Sequence, residues 1–411
     1  MASPGIRRVE STQAPPVGRL ATSWPPTLRR DIDVRFSYPV HFTHHVLGSE
    51  NPLLAETVAH GGPGPHDVLA AVDAGVLAVK PDLIWRLRSY CHRYPEALSL
   101  VGEPLIFPGG ETAKDGTAHV DALHAAIDAH GICRHSYVLA IGGGALLDMV
   151  GFAASTAHRG IRLVRVPTTV LAQNDSAIGV KTAVNRNGKK NFVGTFAAPW
   201  AVLNDSSFLQ TLSDRDWRAG TIEALKVGLL RDADFVAWLH EKAPALLSRD
   251  VAAMERLVHR CAELHLDHIA GAGDPFESGS SRPLDFGHWA GHKLEELSGY
   301  QLRHGEAVAV GIALDATYSY VTGMLDELDW RRVLRVIRAL GLPLAVPELN
   351  DADAVLEGLE EFREHLGGRL TITLLAGIGD SREVHDMDTA QVVEAIGRLQ
   401  AQAATATLVV G

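Results

Sequence analysis

The feature that most constrains the fold is a change of pattern near residue 205. From about Asp33 to Asp205, short aliphatic runs alternate with turn residues and helical periods. The runs are Asp67–Val72, Leu105–Phe107, Tyr137–Ile141 and Leu163–Val166. Such a repeat predicts an α/β domain around a mainly parallel sheet. After Gln210, amphipathic stretches dominate: Trp217–Leu230, Phe235–Leu247, Val251–His268, Leu284–Leu297 and Glu306–Val321. They predict a chiefly helical second domain, closed by a strand-like run at Leu370–Leu375 and a last helix. The expected division is a loose tail over residues 1–32, an α/β domain over 33–205 and a helical domain over 206–411. A ligand is expected between the two halves. With 411 residues, 46% of them hydrophobic, the chain can fill two cores.

A net charge of −11 argues against nucleic-acid binding. No apolar run is long enough to span a membrane, so no membrane partner is expected. Cys91, Cys133 and Cys261 lack metal-binding spacing and read as reduced, buried thiols of a cytoplasmic protein.

Tyr137–Asp148 reads as a strand, a triple-glycine turn (Gly142, Gly143, Gly144) and a helix start. Glycines let backbone N–H groups approach a phosphate, and a helix N-terminus adds favourable partial charge. The spacing is not the GxGxxG fingerprint, so an ordinary Rossmann motif is not implied. Asp73, at the end of an early strand, could hold ribose hydroxyls, and Gly109–Lys114 offers a loop with both charge signs. Next come Arg159, Thr168, Thr169, Asp175, Lys181, Lys189, Lys190 and Asn191. Four cations interleaved with Thr and Asn in an acidic protein suit a phosphorylated polyol. For Lys189 a solvated surface position weighs equally. Lys181 and Lys190, flanked by Gly and Asn rather than by acids, favour a binding role.

His288 and His292 stand one helical turn apart and project from one face, and His304 opens the next apolar run. Glu223 sits in a run that is otherwise apolar apart from Lys226. A surface Glu223–Lys226 pair is the plain reading, yet a buried carboxylate needs a compensating cation. With His288 and His304 it completes a Glu/His/His set of the kind that holds catalytic zinc and leaves positions open for substrate.

In this order the motifs resemble the sugar phosphate cyclases, the family of 3-dehydroquinate synthase, over roughly residues 33 to 400. The resemblance implies a dehydroquinate-synthase-like fold, with a Rossmann-like α/β domain followed by a mainly helical metal-binding domain. It implies Glu223, His288 and His304 as metal ligands for zinc, with cobalt as an alternative. NAD is expected along Asp73, Glu111, Lys114, Gly143, Gly144, Asp148, Thr168, Thr169 and Lys190. Substrate is expected at Arg159, Asp175, Lys181, Lys190, Asn191, Lys226, Arg282 and Asp285. His292 is the expected proton shuttle, with Lys181, Asp175 and Asp285 beside it as catalytic groups. A homodimer acting on a small sugar phosphate is also implied.

Departures from the family pattern bear on the substrate. Dehydroquinate synthases carry Arg-x-x-x-Asn-x-Gly-His before the histidine helix, whereas here Ser281 and Asp285 take the Arg and Asn positions. An arginine suited to a substrate carboxylate is missing, and an added acidic group favours a neutral ketose phosphate. The usual Asp-Lys-Lys near the C-terminus is replaced by Phe362-Arg363-Glu364-His365. Cyclases making 2-epi-5-epi-valiolone typically have Pro where this chain has His292. The stretch Gly273–Glu277 with Arg282–Trp289 is most similar to 2-epi-valiolone synthases, which act on sedoheptulose 7-phosphate. The chemistry implied is redox-neutral: oxidation of a ring hydroxyl at the expense of NAD, elimination of phosphate, return of the hydride and aldol closure. The alternatives are 3-dehydroquinate synthase and a metal-dependent polyol dehydrogenase. The latter class usually takes its first ligand from an Asp with His four residues on, where Glu223 is followed by Val227.

Overall fold

The computed structural model describes residues 27–32, 34–187, 189–271, 276 and 283–410, except for the side chains of His365 and residues 405–410. The chain divides into two units, Met1–Ser37 and Tyr38–Gly411. The described part of the first has no regular secondary structure.

The second unit begins with a parallel sheet. Its strands are β1 (Val40–Thr43), β2 (His66–Asp73), β3 (Leu98–Leu100), β4 (Leu105–Phe107), β5 (Tyr137–Gly142) and β6 (Arg162–Pro167). A hairpin follows, β7 (Lys181–Arg186) with β8 (Lys189–Phe196), and then β9 (Ala201–Asp205). The sheet order is β1-β9-β6-β5-β2-β3, with β4 also on β2, and every pairing is parallel. Parallel strands buried on both faces need apolar residues at successive positions. In β2, Leu69 and Ala71 face one core while Val68, Ala70 and Val72 face the other.

From Asp214 onward helices dominate, and they share one large core that also takes in the hairpin β10 (Ile372–Gly377) and β11 (Asp380–Val384). The molecule is thus a Rossmann-like parallel-sheet domain followed by a mainly helical domain. No helix among the described residues is long and apolar enough to cross a membrane.

Five expectations change in detail. The stretch Trp217–Leu230 is two helices, Asp214–Ala219 and Thr221–Arg231, divided at Gly220, where a Cβ would come within 2.6 Å of Leu171 N. Leu284–Leu297 is broken as well: a 3-10 turn spans Pro283–Asp285 and the helix starts only at His288. Between them Gly287 has φ +77°, and a Cβ there would lie 2.7 Å from Ile312 N, so glycine is needed on both counts. The cation-rich segment from Lys181 is a β-hairpin, and the run ending at Leu375 is one strand of another. Finally, Cys133 is exposed, in the turn before β5, while Cys91 and Cys261 are buried.

Candidate active site

The histidines gather because two helices approach closely. His288 and His292 lie on helix His288–Leu297, and His304 opens helix His304–Val321. Small residues line the contact: a Cβ on Gly311 would fall 2.0 Å from Gly287 O, and one on Gly291 would touch Val308. The ring centroids stand 5.4 Å apart for His288–His292 and His288–His304, and 5.8 Å for His292–His304. Asp315, fully buried on the second helix, accepts hydrogen bonds from Gly287 N (3.0 Å) and Trp289 Nε1 (2.7 Å). Burial pushes its carboxyl up to about 7, with those two donors opposing.

Glu223 reaches the same point from helix Thr221–Arg231 and is wholly buried. Its Oε1 lies 3.9 Å from His288 Nε2 and 3.7 Å from His304 Nε2. These gaps are too long for hydrogen bonds, and Oε1 receives none from any described residue. The Lys226 ammonium lies against Oε2, so the Glu223–Lys226 pair is buried rather than on the surface. An orphaned carboxylate oxygen facing two imidazole nitrogens fits one divalent ion at ligand distances of about 2.0–2.2 Å. His288 Nδ1 hydrogen-bonds Phe286 O at 3.1 Å, which leaves Nε2 to point inward. Burial, reinforced by Lys226, holds His288 well below the usual imidazole range, in the neutral form a metal requires. His292 is lowered to about 4 by burial and by His304.

The sheet supplies the opposite side. Parallel register sets Asp73 beside Phe107 and Gly142 beside Pro167, so the loops after β2, β4, β5 and β6 emerge together. Asp73 accepts from Gly75 N at 2.7 Å. Thr168 N donates to Gly142 O at 3.0 Å, and Thr169 Oγ1 accepts from Ala172 N at 3.1 Å. Gly143 precedes helix Gly144–Thr156. A Cβ on Gly143 would meet only Thr169 Cγ2, at 3.5 Å, whereas one on Gly144 would strike Ser176 Oγ at 2.4 Å. Open backbone at a helix N-terminus fits a phosphate group.

The β7–β8 hairpin links the two sides. Lys114 Nζ donates to Asp148 Oδ2 at 2.7 Å and also to Asn191 Oδ1. Burial opposes the Lys114 charge, yet Asp148 and Glu111 more than offset it and raise its pKa. Asn185 Nδ2 donates to Glu111 Oε1 at 2.8 Å. Lys190 Nζ stands 3.2 Å from Glu295 Oε1 and 4.0 Å from Glu111 Oε1. Lys190 therefore has acidic partners after all, distant in sequence and brought in by the fold.

Asp175 lies in a short π-helical turn, Ala172–Ser176, with His265 Nδ1 at 3.1 Å and Lys226 Nζ at 4.0 Å from its Oδ1. Burial would raise its pKa, but Lys226 and His265 outweigh that and hold it well below the carboxylate range. The charge of Asp285 bears on Lys226, His288 and His292. Lys181 opens β7, and its charge bears on His268. Arg159 is not gathered with these groups. It lines an open cavity of about 570 Å³ with Cys133, Arg134, His135, Thr156 and His158. Ser281, Arg282 and most of Gly273–Glu277 lie outside the described residues.

Three residues of this neighbourhood escape the sequence reading. Glu295 has a signal, since it stands three and seven residues after His292 and His288, on the same helical face. Asp315 is the lone charge in its helix after Glu306. His265 has no comparable mark.

Comparisons with known proteins identify the family. Residues 104–219 match the family described as 3-dehydroquinate synthase N-terminal, and residues 220–361 match its C-terminal counterpart. A 3-dehydroquinate synthase of Xanthomonas campestris pv. campestris (strain 8004) is 37% identical over 359 residues, 85% of this chain and 90% of that protein. The chain therefore belongs to the 3-dehydroquinate synthase family of sugar phosphate cyclases, and it is an enzyme of that family. Among solved structures, the 2-epi-5-epi-valiolone synthase of Streptomyces hygroscopicus subsp. jinggangensis 5008, with NAD+ and Zn2+ bound, superposes with a TM-score of 0.82. It is 31% identical, covering 91% of this chain and all of that one. A 2-deoxy-scyllo-inosose synthase complexed with carbaglucose-6-phosphate, NAD+ and Co2+ shares the fold (TM-score 0.71, 24% identity, 87% and 95% coverage).

Proposed function

We propose that this enzyme converts sedoheptulose 7-phosphate, with loss of phosphate, to a seven-carbon cyclitol, 2-epi-valiolone. It would use NAD and a divalent ion, zinc or cobalt, held by Glu223, His288 and His304. The observation that carries the substrate choice is Asp285, a carboxylate that ends the turn Pro283–Asp285 three residues before His288. A keto-acid substrate would bring a second carboxylate toward that charge, and an unpaired buried charge costs several kcal/mol, about 3–5. Sedoheptulose 7-phosphate, whose only anionic group is the phosphate, brings no carboxylate toward Asp285.

Bound at these residues, a divalent ion would supply Lewis-acid polarisation and NAD would supply reversible hydride transfer. The chain's own groups supply the rest. Lys226, Lys181 and Lys190 would neutralise charge as phosphate departs. His292, neutral at pH 7 with its pKa near 4, takes up a proton rather than holding one in reserve. Asp73 and the Gly143–Gly144 turn would hold the dinucleotide, with Glu111, Lys114, Asp148, Thr168 and Thr169 around it. The division of the chain at 32/33 and 205/206, a homodimer and a cytoplasmic location belong to the same proposal.

The second reading is 3-dehydroquinate synthase, favoured by the name of the 37% identical relative. One experiment separates them: the protein with NAD and zinc is offered each substrate in turn, and products are identified by NMR. The expected outcome is 2-epi-valiolone and phosphate from sedoheptulose 7-phosphate, no accumulation of NADH, and no useful turnover of the keto acid. Comparable efficiency on both substrates would overturn the reading of Asp285, and steady NADH build-up would point to a dehydrogenase.

A further inference from the structure

Among the described residues, two groups of side chains could each hold a divalent ion, and both need His304. One is Glu223, His288 and His304. The other is His292, Glu295 and His304. In each, the donor atoms lie within 4.8 Å of one another. A single imidazole faces both: His304 Nε2 is 3.7 Å from Glu223 Oε1, while Nδ1 is 3.1 Å from Glu295 Oε2. An ionised carboxylate can only accept, so the contact with Glu295 places a hydrogen on Nδ1. In the neutral imidazole, the form in which histidine ligates a metal, the lone pair is then on Nε2, turned toward Glu223.

The second group is also already supplied with a cation. Glu295 Oε1 lies 3.2 Å from Lys190 Nζ, so each of its oxygens has its own partner. An ion entering there would have to displace the Nδ1 hydrogen and sit against an ammonium. Glu295 is buried, only 5% exposed, and a carboxylate so placed needs such partners. By contrast, Glu223 Oε1 has no hydrogen-bond donor among the described residues.

We infer that Glu295 is a positioning residue that selects between these groups. By accepting a hydrogen bond from Nδ1–H it orients His304 Nε2 into the Glu223 group, and through its other oxygen it anchors Lys190 of the hairpin beside the same site. The inference rests on the metal reading proposed above and adds to it the residue that fixes the ligand's tautomer. Such outer partners orient first ligands and raise their basicity.

The test uses metal-stripped full-length protein titrated with Co2+, following its visible absorption, with thermal unfolding as the check on folding. Glu295→Met removes the acceptor at nearly constant volume; Glu295→Gln keeps an amide oxygen able to accept from Nδ1. Expected are a loss of Co2+ affinity of about 10–100-fold with an altered spectrum for Glu295→Met, and recovery of most of the affinity in Glu295→Gln. Wild-type affinity and spectrum in Glu295→Met would overturn the inference. A second measurement does not depend on either variant folding: the zinc position in crystals of the wild-type protein, located by anomalous scattering. Zinc beside Nε2 and Glu223 supports the inference, and zinc between His292, Glu295 and Nδ1 overturns it. If Glu223→Ala and His288→Ala also hold Co2+ as the wild type does, the underlying metal reading fails instead.

Discussion

On the histidine side of the site every acting group is a side chain, whereas on the glycine side much of the work falls to the backbone. Glu223, His288 and His304 come from three helices and must be pointed by their neighbours: Lys226, Phe286 O and Glu295. Gly143, Gly144 and Thr168 need only the parallel register that brings strand ends together. A site made of side chains fails when one residue is lost, while a backbone site fails when something is added. The first prediction is therefore the largest. His288→Ala should lose stoichiometric metal in elemental analysis and at least about a thousandfold in turnover, beyond the 10–100-fold typical of outer partners. Its NAD affinity should change little. Metal retained at full stoichiometry would break the distinction at its strongest point.

Asp315 sharpens the comparison, because it supports the histidine side without touching the proposed ligands. Its folded pKa, raised to about 7, exceeds the usual carboxyl value, so between roughly pH 4 and 7 the folded state binds more protons than the unfolded one. Stability contributed by the neutral form is present below that window and is lost as pH rises through it. Asp315→Asn cannot ionise. The stability difference, wild type minus variant, should fall by about 2–4 kcal/mol between pH 4 and pH 7 in urea melts. A difference that stays constant would mean the carboxyl is ionised throughout.

The glycine side should respond to an addition. Gly143→Ala places its Cβ 3.5 Å from Thr169 Cγ2, an ordinary contact, so the fold should survive. The methyl group would nonetheless occupy space that a diphosphate needs, and NAD should bind about tenfold more weakly, roughly 1.4 kcal/mol. Metal content should be that of the wild type. Unchanged NAD affinity by calorimetry would remove Gly143 from the cofactor site.

These two sides were unequally legible in the sequence. Helical spacing alone put His288 and His292 on one face, and the same spacing reaches Glu295, which carries no motif of its own. The strand ends at Asp73 and Gly142 were readable because buried parallel strands are apolar throughout and end at turn residues. The β7–β8 hairpin was not. Its residues Lys181–Asn191 are mostly polar and much of β8 is exposed; burial does alternate along β7, but its two buried positions are Thr182 and Val184, so no hydrophobic period marks the strand in the sequence. What makes Lys190 functional in appearance, its approach to Glu295 and Glu111, joins residues 105 and 79 positions away. His265 meets Asp175 across a gap of the same kind, and no local pattern encodes it.

The smallest expected effect tests that hairpin through its two adjacent lysines. Successive residues of a strand face opposite ways, so Lys189 and Lys190 cannot share an environment. Lys189 Nζ lies 3.4 Å from Glu364, with both side chains more than 60% exposed. Such a pair is worth about 0–1 kcal/mol, because water screens it and ordering two long side chains has an entropic cost. Lys190, about one-fifth exposed, meets Glu295 at 3.2 Å and has the Tyr300 ring 4.8 Å from its Nζ. Lys189→Ala should accordingly leave kcat/KM within about twofold and stability within about 0.5 kcal/mol. Lys190→Ala should lower kcat/KM by at least about tenfold, equivalent to 1.4 kcal/mol, because it removes a cation from the proposed phosphate path and uncovers buried Glu295. Equal effects of the two substitutions, measured side by side, would mean the hairpin does not present one face to the site in solution.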